Sequence, residues 1–207
     1  MFEYRRKEAA VFRKTRERFG ELSNMAAGFP LMVNGHLYRT AEALYQCCRF
    51  PNHPDVQREI MYQRSPMAAK MVGKPHRIHT RGDWDETRVE IMWWVLRVKL
   101  ALHWDAFSNV LLSTEDLPIV EESHRDAFWG TIAKDDDVLR GENALGRLLT
   151  ELRDRRCRLD AERLRRVLPP KVPDFLLLAE PVGIVNDAQL IHQRSDHQSV
   201  LPGFIET

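Results

Sequence analysis

The sequence predicts a mainly α, α+β fold, a multihelical single domain with one small β-hairpin. Apolar residues recur at helical spacing in several segments, and these segments do not alternate regularly with strands as in a parallel βαβ sheet. Asn34-Gly35 separates LMV from HLY, a strong hairpin signal because both turn positions favour positive φ. The 207 residues suit one domain with an appendage. We place the domain at residues 1–168 and a C-terminal extension, docked or partly flexible, at residues 169–207.

The first half of the chain predicts short elements around the hairpin. Residues 1–22 are mixed and basic and predict a short helix or strand. Thr40 is the expected N-cap of a first helix, and Asp55 that of a second. Ser65 caps a third helix, with Pro66 at its first position, where proline is favoured.

The second half predicts two long helices. From Thr87 to Trp104, apolar residues occur on nearly every side, a pattern typical of a helix that is packed all round. Pro118 breaks the next segment, which allows a short strand, and residues 124–143 are predicted to form a loop. ALGRLLTELRDRRCRLDAERLRRVL is a long amphipathic helix with a leucine stripe that includes Leu159. The PPKVP that follows predicts a linker.

Composition excludes several classes of protein. The formal net charge of +1 indicates no partner by itself. The cysteines Cys47, Cys48 and Cys157 form no CxxC pair, which argues against disulfides and zinc and for a reducing compartment. Neither GxGxxG nor a P-loop occurs. The N-terminus lacks an apolar signal core, and no run of 18 apolar residues exists, so we expect a cytoplasmic protein that needs no membrane, metal or cofactor.

Two roles fit Glu42, which lies in the first turn of the helix capped by Thr40. A first-turn glutamate is favoured by the helix macrodipole alone. The small-residue helix start around Ala41 and Ala43 would instead pack closely and desolvate the carboxylate, as a general acid or base requires. Gln46 lies one turn later on the same face.

Aromatic residues suggest the wall of a small pocket. Asp126 precedes Phe128, Trp129 and Gly130, and flat rings beside a tight turn can stack on a base. Asp126 could equally serve only an Asx-turn. Trp84, before the core helix, is either a second wall or a core anchor.

Lys99 occupies an apolar face of the core helix. Its ammonium either snorkels to water or is desolvated, and desolvation would lower its pKa and make it a nucleophilic amine. An ion pair with Glu42 or Asp126 is the structural alternative.

Further candidates concern phosphate and nucleic acid. Asn143 is the expected N-cap of the long helix, whose start, together with Arg140, could bind a phosphate. The triplet of aspartates at residues 135–137 predicts a solvated loop, because consecutive aspartates converge poorly on a metal. The arginines of the long helix form either a solvated face or a track for a nucleic-acid backbone.

Six segments, in this order, resemble the NADAR family, which includes the YbiA-like N-glycosidases. They are FGELSNM, NGHLYRTAEALYQCCRF, SPMAAKMVGK, DWDETRVEIMWWVLRVKLA, HRDAFWG and GENALGRLLTELR, within about Phe12 to Arg155. The resemblance implies a NADAR catalytic domain in residues 1–168 and cleavage of an N-glycosidic bond between a base-like amine and a phosphorylated ribose. The segment TIAKDDDVLRGEN has one glycine where YbiA-like members carry a glycine-rich run, which implies a changed leaving group.

The resemblance also assigns roles to residues. Glu42 and Asp126 match the family's acid–base residues, and Lys99 matches a lysine that would form a Schiff base with the opened ribose or position phosphate. The substrate-binding set is Trp84, Trp129, Asn24, Arg140, Asn143 and Gln46.

Three functions are consistent with the sequence. The first is removal of ADP-ribose from guanine in DNA, as antitoxin to an ADP-ribosyltransferase toxin. The second is cleavage of phosphoribosylamino-pyrimidine intermediates of riboflavin biosynthesis. The third is a non-enzymatic ADP-ribose-binding module. The arginine-rich helix and the altered loop favour ADP-ribosylated DNA as the partner, with a toxin as a further one.

Overall fold

One long helix runs through the middle of the fold. In the computed structural model, which describes residues 1–158 and 161–186, this helix is α4, Trp84–Leu102. Its second half is buried on nearly every side, as its apolar sequence predicts. The other helices are α1 Ala41–Cys47, α2 Pro54–Tyr62, α3 Pro66–Val72, α5 Trp104–Leu112, α6 Ala144–Arg158 and α7 Ala161–Arg165.

The helices form two groups around α4. Helices α1, α2 and α3 pack against one another on one side, and α1 also contacts α4. Helices α5, α6 and α7 contact α4 elsewhere. This mixed arrangement confirms the predicted mainly α, α+β class.

The helix starts follow the predicted capping with one exception. The Thr40 hydroxyl accepts a hydrogen bond from the Ala43 amide, and the Ser65 hydroxyl accepts one from Ala68. The prediction for Asp55 is wrong, because α2 already begins at Pro54 and places Asp55 in its first turn.

The predicted hairpin is confirmed. Strands β3 Leu31–Val33 and β4 His36–Tyr38 pair antiparallel around Asn34 and Gly35. Both turn residues have positive φ, 49° and 74°, the conformation that favours this pair of residue types.

The prediction that residues 124–143 form a loop is wrong in part, because this segment contains two strands. Strands β6 Ile132–Ala133 and β7 Val138–Gly141 form an antiparallel sheet with β1 Phe2–Arg5, in the order β1-β7-β6. Strand β2 Ala10–Phe12 pairs parallel with β5 Ile119–Glu121. Strands this short show no clear period in sequence, and their partners are distant along the chain.

The prediction that PPKVP forms a linker is also wrong. Val172 and Phe175 are buried, and the Phe175 ring packs edge-on against Trp94 at 5.0 Å. The Gln57 side chain binds the backbone of Leu176 and Leu178. Two further strand pairs complete this segment: β8 Arg166–Val167 with β11 Val185–Asn186, and β9 Leu176–Leu177 with β10 Glu180–Pro181. Residues 169–186 therefore dock on the domain, whereas Leu159, the Cys157 side chain and residues 187–207 lie outside the described part.

A tight junction between β5 and α6 positions the end of β5. The Asn143 side chain accepts a hydrogen bond from the Glu121 amide at 3.0 Å and donates one to the Ile119 carbonyl at 2.9 Å. A Cβ at Gly146 would overlap the Ile119 carbonyl oxygen and the Asn143 side chain. Only glycine therefore lets α6 approach the strand this closely.

Gly146→Ala should destabilise the protein by about 2 to 3 kcal/mol, because overpacking outweighs the ~1 kcal/mol by which alanine is preferred in a helix. Gly82→Ala is the matched control, since a Cβ there meets no atom within 4 Å. Urea unfolding of both variants measures the effect. A Gly146→Ala protein as stable as the wild type would contradict the proposed close approach.

Candidate active site

Three carboxylates from different parts of the chain converge in one place. Glu42 comes from α1, Glu121 from the end of β5, and Asp126 from the loop that follows. Each of Glu42 and Asp126 acts electrostatically on Glu121, and Asp126 also acts on Glu42. The structure thus brings together the two predicted carboxylates and adds Glu121. The sequence offered only one signal for Glu121, its place at the end of the apolar run PIVE.

Glu42 is almost fully buried, with 6% of its surface exposed. Its Oε1 accepts a hydrogen bond from the Gln46 side chain at 3.0 Å, and its backbone amide donates to the Asn24 carbonyl at 3.0 Å. Burial raises its pKa, an effect that Lys70 and the Gln46 hydrogen bond reduce and that Asp126 increases. Desolvation of this kind favours the neutral form of a carboxyl group.

Glu121 has the clearest titration behaviour of the three. Burial, followed by the charges of Asp126 and Glu42, raises its pKa to about 7, and Lys70 opposes the shift. Its Oε2 lies beside Gly130, where a Cβ would come within 3.3 Å. A group that is half protonated near neutral pH is suited to donate a proton.

Asp126 is oriented by its own loop. Its Oδ1 accepts hydrogen bonds from the amides of Phe128 at 3.0 Å and Trp129 at 2.9 Å. This Asx-turn is the structural alternative considered for the residue, and it coexists with the convergence on Glu42 and Glu121. Because backbone amides fix one oxygen, the carboxylate has a defined direction.

Three aromatic rings line the site. The buried Tyr45 ring packs against Trp84 at 5.1 Å and against Trp129 edge-on at 5.7 Å. Trp84 and Trp129, which were predicted to form the walls of a pocket, are half-buried, and both contact Tyr45. Tyr45 itself was not among the predicted residues. Phe128 packs edge-on against Trp129 at 5.1 Å.

Cations surround the carboxylates at the site's edge. The exposed Lys70 influences both Glu42 and Glu121. The Arg88 guanidinium lies 3.9 Å from the centre of the Phe128 ring, and that of Arg49 lies 5.7 Å from the centre of the Trp84 ring. Both arginines act electrostatically on Tyr45. None of the three was predicted, although Arg49 and Lys70 belong to motifs that carry the family resemblance.

Several buried polar atoms of the site have no hydrogen-bond partner among the described residues. They are Asn24 Oδ1, Gln46 Oε1 and Arg88 Nε. Asn24 and Gln46 flank Glu42 through the bonds described above. These two acceptors and one donor are therefore available to a polar ligand.

Lys99 does not lie among the carboxylates. Its Nζ donates to the carbonyls of Glu21 at 2.7 Å and Ser23 at 3.2 Å, and it contacts the rings of Phe29 and Phe107. The residue is 1% exposed. The predicted covalent role stays a prediction, and these contacts do not favour it, because the amine is enclosed and bound to two carbonyls. The predicted ion pair with Glu42 or Asp126 does not form in the described chain either.

The contacts at the start of α6 do not favour the predicted phosphate site. The amides of Asn143, Ala144 and Leu145 donate to the carbonyls of Gly130, Phe128 and Trp129, respectively. The Asn143 side chain is fully buried against β5. Three amides at this helix start are therefore already bonded within the fold. Arg140 is exposed on β7 and makes no contact with the carboxylates within the described residues.

The basic helix has structural partners. Arg153 donates to the Leu117 carbonyl and Thr114, Arg156 to Ser108, and Arg155 to Glu151. Arg153 and Arg156 thus attach α6 to neighbouring segments, and Arg155 pairs within α6 itself, so the predicted nucleic-acid track is not supported. The aspartates at residues 135–137 are exposed, and Asp135 forms a turn with the amides of Asp137 and Val138.

Neither a metal-binding cluster nor a membrane-spanning helix occurs among the described residues. No group of three or more His, Cys, Asp or Glu side chains in residues 1–158 and 161–186 is arranged to hold a metal ion. In the same part of the chain, no helix is both long enough and apolar enough to cross a membrane.

Comparison with known proteins identifies the family and the fold. The NADAR domain family model matches residues 11–156. The N-glycosidase YbiA of Escherichia coli is 33% identical over 143 residues, which are 69% of this chain and 85% of YbiA. The NMR structure of E. coli YbiA matches with a TM-score of 0.61 at 29% identity, covering 77% of this chain and 93% of that one. A chloroplastic riboflavin biosynthesis protein, PYRR of Zea mays, is 32% identical over 69% of this chain but only 24% of its own length.

The burial of Lys99 predicts a pH dependence of stability. Desolvation lowers its pKa from 10.5 to about 7, so between these values the unfolded chain binds more protons than the folded one. Stability therefore rises with pH in this window. Relative to Lys99→Met, the wild type should gain about 1 to 2 kcal/mol of unfolding free energy between about pH 7 and pH 9. Urea unfolding at both pH values tests this, and parallel curves for the two proteins would contradict it.

Proposed function

Because the chain belongs to the NADAR domain family and is an N-glycosidase, we propose that it hydrolyses the bond between ADP-ribose and guanine in modified DNA. The observation that carries the proposal is the cluster of Glu42, Glu121 and Asp126 with Arg49 and Arg88 at its edge. Carboxylates stabilise a ribose that becomes cationic as the bond breaks, and arginines bind the two phosphates of ADP-ribose.

Glu121 acts as the general acid. As the bond from the anomeric carbon to the guanine nitrogen breaks, its electron pair stays on nitrogen, and the Glu121 proton neutralises it. A carboxyl with a pKa of about 7 is protonated often enough at neutral pH and is acidic enough to transfer that proton. Inverting and retaining glycosidases use a raised-pKa carboxyl in the same way.

Glu42 and Asp126 act on the ribose. Their negative charges stabilise the oxocarbenium-like transition state, in which positive charge spreads over the anomeric carbon and ring oxygen. One of them accepts a proton from water as that water attacks the anomeric carbon. Asp126 has the better defined orientation for this step, because two backbone amides hold its carboxylate.

The remaining groups recognise the rest of the substrate. The unpartnered oxygens of Asn24 and Gln46 accept hydrogen bonds from ribose hydroxyls, which satisfies both buried acceptors. Arg49 and Arg88 bind phosphate, and this replaces the predicted roles of Arg140 and Asn143. Trp84 and Trp129 enclose the base or ribose. Removal of ADP-ribose from DNA would make the protein an antitoxin to an ADP-ribosyltransferase toxin.

A metabolite N-glycosidase of riboflavin biosynthesis is the second candidate. It is favoured by the maize relative, which carries a riboflavin biosynthesis name. The chain spans about a quarter of that relative, so the name describes a much longer protein. The acid–base chemistry would be the same, and only the leaving amine would differ.

The decisive experiment offers both substrates to the wild-type protein. An oligonucleotide carrying ADP-ribosylated guanine should release free ADP-ribose, whereas a phosphoribosylamino-pyrimidine should be cleaved much more slowly. Glu42→Gln should lose at least about 100-fold in turnover of the preferred substrate, because the variant keeps the shape and removes the carboxylate. Its melting temperature should not fall. Faster cleavage of the pyrimidine would favour the second candidate, and full activity of Glu42→Gln would return Glu42 to a capping role.

The pH profile tests the assignment of Glu121. Since the protonated form is the active one, kcat/KM should be level below about pH 7 and fall as pH rises above it. Glu121→Gln should lower kcat/KM about 100-fold and abolish its decrease above about pH 7. A variant that keeps the wild-type limb would show that another group supplies the proton.

A further inference from the structure

The segment from residue 60 to residue 82 has an unusual charge. It contains five basic residues, Arg64, Lys70, Lys74, Arg77 and Arg81, two histidines and no aspartate or glutamate. Since the whole chain has a formal net charge of +1, the rest of the chain is net negative. Positive charge is thus concentrated on this segment, which includes α3 and the loop that leads to α4.

The same segment exposes apolar side chains. Ile78 is 86% exposed and Tyr62 81%, and Met67 and Met71 on α3 are also exposed. Lys70, Lys74 and Arg77 are exposed between them. None of these three cations forms a salt bridge within the described residues. Arg81 differs, because it is bound to Asp83 and to the Pro173 carbonyl.

This surface adjoins the active site. Lys70 acts on Glu42 and Glu121, as described above. Arg77 acts on Arg49, whose Nε donates to Thr80 at 2.9 Å and whose carbonyl accepts from the Arg81 amide. A Cβ at Gly73 would lie 3.6 Å from the unpartnered oxygen of Gln46. The segment therefore forms one rim of the site.

We propose that this rim, Lys74, Arg77 and Ile78 together with Lys70, binds the single strand of nucleic acid that carries the modified base. Unpaired exposed cations match a chain of phosphates, and exposed apolar side chains match unstacked bases. An enzyme that acts on a base needs it outside the duplex, so a single strand is the form that fits. The inference rests on the proposed function and moves nucleic-acid contact from the arginines of α6 to α3 and the loop after it.

Binding to an unmodified labelled single-stranded oligonucleotide tests the rim independently of turnover. Lys74→Gln/Arg77→Gln should weaken binding about tenfold at low salt and lower the slope of log affinity against log salt by about 1 to 2, since each phosphate contact contributes about 0.7. Ile78→Ser should weaken binding about fivefold and leave the slope unchanged, because it removes apolar contact but no charge. Fluorescence anisotropy measures both quantities.

A matched control removes the same charges elsewhere. Lys7→Gln/Arg155→Gln also deletes one exposed lysine and one exposed arginine and should bind like the wild type. Equal losses of oligonucleotide affinity in the two double variants would contradict the proposed binding surface. Binding by the wild type that does not depend on salt would contradict it as well. Stronger binding to vesicles of equimolar phosphatidylserine and phosphatidylcholine than to the oligonucleotide would also overturn it, in favour of a membrane contact.

Turnover measurements distinguish a failure of the proposed binding surface from a failure of the proposed function. The rim double variant should lower kcat/KM for ADP-ribosylated oligonucleotide about tenfold and change that for ADP-ribosylated guanosine much less. Equal losses on both substrates would overturn the rim. If the wild type binds the oligonucleotide through the rim but cleaves neither substrate, the proposed function fails and the binding surface stands.

Discussion

The mutual repulsion of three carboxylates in one partly desolvated place is the constraint on which the site depends. Glu42, Glu121 and Asp126 cannot all be ionised there at low cost, so burial and neighbouring charge raise the pKa of Glu121 to about 7. The same repulsion is what a cationic transition state relieves, because a positive ribose compensates the negative charges. Lys70 moderates the repulsion in the absence of substrate. One arrangement thus explains both a proton donor and a stabilised sugar cation.

The surrounding fold holds each carboxylate by its backbone. Glu42 is attached through its amide to Asn24, and the loop of Asn24 is held by the Lys99 ammonium through two carbonyls. Glu121 is fixed through its amide by Asn143. Lys99 and Asn143, which were predicted to have chemical roles, thus bind the backbone segments next to Glu42 and Glu121. Burying Lys99 costs free energy, and the hydrogen bonds to the loop carbonyls offset part of this cost.

In the proposed function, substrate recognition is divided between the interior and the surface. The buried oxygens of Asn24 and Gln46 suit the hydroxyls of a ribose, which is common to many N-glycosides. Discrimination between a free metabolite and a nucleic-acid strand requires contacts outside the pocket. The exposed cations from Lys70 to Arg77 are positioned to provide them, whereas the arginines of α6 are engaged in packing.

Local patterns in the sequence determined the hairpin at Asn34-Gly35, the Thr40 and Ser65 caps and the buried helix α4, because turn chemistry, capping and periodicity act over a few residues. They also led to the predictions for Glu42, Asp126, Trp84 and Trp129. Only the tertiary structure showed that Glu121 lies with Glu42 and Asp126, whereas Lys99 and Asn143 bind backbone groups of other segments. Convergence on a site depends on the direction in which a side chain points across elements far apart in the chain. The pairing of β1 with β7 and the docking of Phe175 on Trp94 escaped prediction for the same reason. The strands lie more than 130 residues apart in the chain and the two rings 81 residues apart, where no local pattern extends.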